Sequence, residues 1–258
     1  MPEVTKHEPG AFSWAELATS DSDGAKAFYT KLFDWSSTDS PAGPDMIYTT
    51  LQKGGKAVGA LYQQGPQDGG MPPHWNAYFT VKSADETARM AAEAGGKLAM
   101  APFDVMTYGR MAVVQDPQGA FFALWEPKEH IGAQRVGETG AICWVELDTT
   151  DPAAAEAFYT KVFPWTPKRS PEYTEWQMGG TSLGGMMKIP KEWGPVPPNW
   201  LVYFMVDNVD QAVVKAGGLG ATPIVPGMDI PDMGRFAVLK DPQGAVFAIF
   251  AVTAPAKG

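Results

Sequence analysis

The sequence predicts an α+β fold built twice, as two tandem domains, each of paired βαβββ units whose mixed sheet curls around a cavity. Three observations predict it. The block Phe28-Tyr29-Thr30-Lys31-Leu32-Phe33-Asp34-Trp35 returns 130 residues later as Phe158-Tyr159-Thr160-Lys161-Val162-Phe163-Pro164-Trp165, with six of eight positions identical. The block from Gly109 to Ala120 returns 125 residues later, from Gly234 to Ala245, with nine of twelve identical. The two offsets differ by five residues, which places a deletion between the blocks. Within each copy the strand–turn–helix pattern of Trp14 to Leu32 also returns at Asn76 to Ala94, about 62 residues on. Duplication sets the domains at residues 8–128 and 138–254, joined by a polar, glycine-containing linker from His130 to Thr139.

The elements follow in order. Phe12 to Ala18 reads as a strand, and Ser20-Asp21-Ser22-Asp23 as a helix start. Ala25, Phe28, Tyr29 and Leu32 fall at i, i+3, i+4 and i+7, which builds one apolar helix stripe. In the second copy Asp151 caps the equivalent helix and Pro152 takes its first position. Gly54-Gly55 and Gly179-Gly180 read as hairpin turns. Trp75 to Val81 and Trp200 to Val206 are rich in aromatics and valine, as strands are. Ser83 with Glu86 forms a capping-box pattern before the next helix. Asp116-Pro117-Gln118-Gly119, repeated at Asp241 to Gly244, fits a type I turn between two strands.

Composition narrows the function. Of 258 residues, 45% are apolar, enough for two cores, and the net charge is −9. An acidic chain without a Lys/Arg stripe gains no counterion-release attraction to nucleic acid, and anionic membranes repel it. No run of about 18 apolar residues is present to span a bilayer. The start, MPEVTKHEPGAF, lacks the apolar core of a secretory signal. The one cysteine, Cys143, excludes an intramolecular disulfide. These points lead to the expectation of a cytoplasmic protein, with leaderless export left open, and of a monomer or homodimer with a small-molecule partner. Nine tryptophans give cores and also surfaces on which flat organic ligands stack.

The order of strand, helix ending in FYTKLF-x-W, three strands, and a second such unit closing on DPQG resembles the vicinal oxygen chelate superfamily. That group includes glyoxalase I, extradiol dioxygenases, and fosfomycin- and bleomycin-resistance proteins. More narrowly, the chain is similar to tandem glyoxalase-like proteins, among them secreted mycobacterial antigens and accessory proteins of aromatic-polyketide antibiotic pathways. The resemblance implies metal ligands on the first strand of each half and on the last strand. At those positions this chain carries Trp14, Asn76 and Ala123 in the first domain, and Trp144, Leu201 and Ala248 in the second. Indole, methyl and isobutyl groups have no lone pair to offer a divalent ion, and one amide oxygen is weak alone. The expectation is therefore no metal and no cofactor. His74, read as the neighbour of the second position, is expected on the opposite strand face.

The resemblance also directs attention to what replaces the metal. Residues two apart on a strand share a face, so Glu16 joins Trp14, and Glu146 joins Trp144. A carboxyl beside an indole in a concave site is partly desolvated, which makes Glu16 and Glu146 the candidate acid–base groups; the alternative is a carboxylate paired with Arg or lying in water at the rim. Asn76 with Tyr78, and Leu201 with Tyr203, line the neighbouring strand. Tyr78 and Tyr203 either donate to a ligand carbonyl or simply pack. Trp75, Trp200, Phe79 and Phe204 then face the helices. Asp104 with Arg110, and Asp229 with Arg235, repeat a six-residue spacing. They either brace a loop at the cavity mouth or let arginine grip a ligand. Cys143 is expected to face away from the cavity as a buried, inert thiol.

Three functions fit. In the first, the protein binds or sequesters an aromatic or carbonyl-bearing metabolite or antibiotic. In the second, it is a metal-independent lyase or isomerase, or an accessory hydroxylase-type enzyme of secondary metabolism, using Glu and Tyr. In the third, it is a metal-dependent glyoxalase or dioxygenase whose ligands lie elsewhere.

Overall fold

The computed structural model describes residues 3–43 and 46–253; the expected end of the second domain, residue 254, lies outside them. The first half-unit is β1 (Phe12–Thr19), α1 (Ser22–Phe33), β2 (Ser36–Pro41), β3 (Ile47–Lys53) and β4 (Lys56–Gln63). The second is β5 (His74–Thr80), α2 (Ala84–Glu93), β6 (Lys97–Val105), β7 (Gly109–Gln115) and β8 (Phe121–Pro127). The copy repeats this with β9 (Ile142–Thr149), α3 (Pro152–Val162), β10 (Thr166–Arg169), β11 (Tyr173–Met178) and β12 (Thr181–Lys188). It closes with β13 (Asn199–Met205), α4 (Val209–Gly218), β14 (Thr222–Ile230), β15 (Gly234–Lys240) and β16 (Val246–Val252).

Each copy makes one curled, eight-stranded mixed sheet, in the orders β2-β3-β4-β1-β5-β8-β7-β6 and β10-β11-β12-β9-β13-β16-β15-β14. The half-units join antiparallel at β1/β5 and β9/β13, while β1 runs parallel to β4 and β5 parallel to β8. The five-residue deletion falls in the β10–β11 hairpin, where β10 has four residues and β2 has six.

Local signals set the boundaries. Asp21 accepts from the Gly24 N–H at the start of α1, Asp151 from Ala154 at α3, and Ser83 from Glu86 at α2. Each such cap is worth about 1 kcal/mol. Gly54-Gly55 (φ 57° and 74°) and Gly179-Gly180 (φ 58° and 84°) turn the β3–β4 and β11–β12 hairpins in a left-handed conformation that suits glycine.

The helices lie between the two sheets, so one buried core runs through both domains. Phe79 packs against Phe163, Trp165 and Trp200, and Phe204 against Phe33, Trp35 and Trp75. The sequence repeats are the residues of this interface. Tyr29 on α1 donates to Asp241 Oδ2 of the second domain (2.9 Å) and accepts from Trp75 Nε1 (3.0 Å). Tyr159 on α3 donates to Asp116 Oδ2 of the first (3.0 Å) and accepts from Trp200 Nε1 (3.0 Å). Each aspartate also holds its own turn: Asp241 Oδ1 accepts from the N–H groups of Gln243, Gly244 and Ala245, and Asp116 Oδ1 from Gln118, Gly119 and Ala120. The DPQG turn therefore has more than a local role, because its aspartate ties the partner domain's helix. Trp35 and Trp165, which close the helix motif, donate to the carbonyls of Gly140 and Gly10, just ahead of the other domain's first strand.

Candidate functional site

The helix-free face of each sheet carries the candidate site. In the first domain the register sets Trp14 opposite Tyr78, and Glu16 opposite both Asn76 and Ala60. In the second it sets Trp144 opposite Tyr203, and Glu146 opposite both Leu201 and Gly185. Trp75 and Trp200 point the other way, into the interdomain core, as period-2 alternation requires.

Hydrogen bonds join these residues into matching networks. Tyr78 donates to Glu16 Oε1 (2.8 Å), Trp14 Nε1 donates to the Tyr48 hydroxyl (3.1 Å), and Tyr48 also bonds Glu16. Tyr203 donates to Glu146 Oε1 (2.9 Å), Trp144 Nε1 donates to the Tyr173 hydroxyl (3.0 Å), and Tyr173 bonds Glu146. Tyr48 and Tyr173 are absent from the sequence-predicted set. Their 125-residue offset, the same as that of the DPQG blocks, is the signal that pairs them. Their contact with Glu passes between strands that local pattern does not connect.

Burial raises the pKa of Glu16 and of Glu146, and in each case the two phenol hydrogen bonds oppose the rise. Burial and the neighbouring glutamate charge hold all four phenols protonated. A phenol has one proton. Those of Tyr48 and Tyr78 are spent on Glu16, and those of Tyr173 and Tyr203 on Glu146. The group left to meet a ligand is therefore the carboxyl, which donates to a carbonyl when protonated and accepts from a hydroxyl when ionised. Asn76, half-buried beside Glu16, adds an amide with no side-chain partner among the described residues.

Both faces are closely filled: Trp14, Tyr78, Tyr203 and Glu146 are all buried. Glu16, Tyr48, Trp144 and Tyr173 are half-buried and form the approach. Two surface hollows, at Asp210, Gln211, Val214 and Lys215 and at Met90, Glu93, Ala94 and Lys161, lie on helices and share no residue with this set. In the second domain Tyr173 lies over Gly185, where an added Cβ would collide with its hydroxyl; the first domain has Ala60 there. Gly185→Ala is expected to displace Tyr173 and to cost about 1–3 kcal/mol, measured by urea denaturation. Wild-type stability in that variant would contradict the packing described.

The metal-ligand positions do not fit a metal. The register puts Ala123 beside Tyr78 and Ala248 beside Tyr203, so the third position of each site is a methyl group. Among the described residues no group of three or more His, Cys, Asp or Glu is placed to hold an ion. His74 needs a correction: it lies two residues from Asn76, opposite Ala18, and so shares the face of Asn76. Its ring is tied to the Pro72 carbonyl (2.8 Å) at the strand end. Cys143 also departs from expectation. A register shift between Tyr203 and Phe204 breaks the alternation, and Cys143 packs in the same cluster as Trp144, its thiol pushed up to about 12 by burial.

The structure does not bring the arginine pairs to this face. Arg110 grips Asp85 at the start of α2 (2.6 and 2.9 Å) and lies 3.5 Å from Asp104, which also binds Lys128. Arg235 binds Asp210 at the start of α4 and Asp229 (2.9 Å each). They clamp helix starts to strands on the helix side. A feature not read from the sequence is His130, which leaves the linker to pack edge-on against Trp14 (ring centroids 4.7 Å apart).

Comparison with known proteins agrees with this architecture. Residues 11–124 match the family described as Glyoxalase/Bleomycin resistance protein/Dioxygenase superfamily, and residues 144–250 match a Glyoxalase-like domain. CFP32 of Mycobacterium tuberculosis, provisionally named a glyoxylase, is 39% identical over 256 residues, covering 96% of this chain and 97% of that protein. The anthracycline biosynthesis protein DnrV of Streptomyces peucetius is 36% identical over 265 residues, covering 95% and 94%. Among solved structures, a Mn(II)-bound glyoxalase from Novosphingobium aromaticivorans superposes with a TM-score of 0.68 at 16% identity, over 94% of this chain and 82% of that one. A 2,2',3-trihydroxybiphenyl 1,2-dioxygenase from Sphingomonas wittichii does so with a TM-score of 0.65 at 12% identity, over 97% and 94%. Matched in both domains and along nearly its whole length, the chain belongs to the vicinal oxygen chelate superfamily, the glyoxalase/bleomycin resistance protein/dioxygenase group.

Proposed function

We propose that this chain binds a flat aromatic compound bearing carbonyl or hydroxyl groups, using a phenol-held carboxyl in each domain where metal-dependent relatives use an ion. One observation carries the reading: the same Glu–Tyr–Tyr–Trp network stands on the helix-free face of both sheets. The indole and phenol rings supply stacking surface, and the carboxyl supplies the directional bond. The names of the anthracycline biosynthesis relatives support an aromatic polyketide as the ligand class.

The test is a tryptophan-fluorescence titration with 1,8-dihydroxyanthraquinone. Saturable quenching is expected, and the double variant Glu16→Gln, Glu146→Gln weakens it at least about tenfold, since a charge-assisted bond is worth roughly 1.5–3 kcal/mol. Unchanged affinity in the double variant would remove the carboxyls from the site. No saturable quenching of the wild type would discard the reading.

A second reading is favoured by the raised pKa of Glu16 and Glu146. A carboxyl lifted toward neutrality suits proton transfer next to a carbonyl, as in a metal-independent isomerase or lyase. That role requires turnover following a single ionisation or a bell-shaped pH profile, abolished in the same double variant.

A further inference from the structure

One difference between the two inner faces adds an acid to the second. Where the first domain has Ala18, the second has Asp148, two residues beyond Glu146 on the same strand and the same face. Asp148 is 4% exposed, and its Oδ1 atom has no hydrogen-bond partner. The groups facing it are Glu146 on its own strand, Asn199 and Tyr203 on β13, Met187 on β12 and Tyr173 on β11. Among the described residues neither Asp148 nor Glu146 makes an ion pair, although ion pairs are frequent elsewhere on the molecule. Two buried carboxyls without a cation are costly unless they share a proton or receive a positive charge.

We propose that the inner face of the second domain receives the protonated amine of an aromatic ligand, held between Asp148 and Glu146 and walled by Trp144, Tyr173 and Tyr203. This rests on the reading that the face binds an aromatic small molecule. Three aromatic rings around the acid pair favour an organic ammonium, which gains from ring faces as well as from carboxylates. One added positive charge, rather than two, also matches the change available to the pair. Burial and the Glu146 charge keep Asp148 protonated near neutrality, with its pKa raised to about 8. When the ammonium enters, a proton held by the pair passes to solvent, so amine binding is accompanied by net proton release. The first domain, with Ala18, offers a single carboxyl and no such exchange.

The test compares 1-naphthylmethylamine with its neutral isostere 1-naphthylmethanol on the full chain at pH 7, by calorimetry in two buffers of different ionisation enthalpy. The amine is expected to bind about tenfold more tightly than the alcohol, with net proton release. Asp148→Asn, which keeps the shape and removes one of the two carboxyls, should narrow the difference between the two affinities and reduce the proton release. Equal affinities in the wild type, or a preference for the amine that survives undiminished in Asp148→Asn, would overturn the proposal while leaving aromatic binding intact. If neither naphthalene binds but dihydroxyanthraquinone does, the amine site falls alone. If none of the three binds, both readings fall.

Discussion

Replacing Asp116 or Asp241 by alanine is expected to cost about 4 kcal/mol, taking roughly 1–3 kcal/mol for each buried donor left unpaired. Each carboxylate accepts three backbone N–H groups of its own turn and the phenol of the partner domain's helix. Both aspartates are 3% exposed, so water cannot substitute. Against a total stability of about 5–15 kcal/mol, the loss is large enough to show as a clear fall in the urea midpoint. Tyr159→Phe removes the interdomain bond and also leaves the Trp200 N–H without its acceptor, so it should cost about 2–3 kcal/mol. Combined with Asp116→Ala it should cost clearly less than the sum of the two, because they share one interaction while the Trp200 bond is lost in either background. Full additivity in that cycle, or a loss below about 1 kcal/mol for Asp116→Ala, would mean that the DPQG turns do not tie the domains together.

The second large effect concerns pH. Asp148 has its pKa raised from 3.8 to about 8 by burial and by the charge of Glu146. A carboxyl raised on folding takes up a proton when the chain folds. Its contribution is thus fully present below the unfolded value and is lost as pH rises through the folded one. A tenfold change in a proton equilibrium is worth about 1.4 kcal/mol, so Asp148 accounts for a few kcal/mol across that window. Asp148→Asn fixes the neutral shape. It should leave the melting temperature nearly unchanged at or below about pH 4 and raise it increasingly up to pH 9, where the variant is more stable by at least a few kcal/mol. Parallel melting curves for wild type and variant across that range would show that Asp148 ionises without penalty. Glu16, Glu146, Asp116 and Asp241 are raised by burial too. The wild type should therefore be most stable in mild acid, and the Asn variant should retain part of the slope.

What the sequence could reveal divides along the line between local and non-local contacts. The repeated blocks, the caps at Asp151 and Ser83 and the glycine pairs act within a few residues, so spacing alone located the elements and their order. Period-2 alternation placed Trp14, Glu16, Asn76 and Tyr78 on one face and Trp75 on the other. The same rule failed at Cys143, because a bulge inserts a residue that alternation does not count. Asp116 and Asp241 looked like ordinary turn residues since their second oxygen bonds a tyrosine more than 40 residues away in the chain. Arg110 and Arg235 showed their near aspartates by spacing, but Asp85 and Asp210, which take them to the helix side, lie 25 residues away. Tyr48 and Tyr173 come from outer strands, and only the folded register brings them to Glu16 and Glu146.

The central claim is that each inner face recognises its ligand through a carboxyl held by phenols, with no ion taking part. The most direct measurement is the 1,8-dihydroxyanthraquinone titration carried out before and after chelator treatment, with elemental analysis of the same samples. Affinity that is unchanged by chelation, in protein carrying well under one equivalent of transition metal, is the expected result. Binding that disappears with the chelator and returns with one equivalent of manganese, iron, nickel or zinc would contradict it.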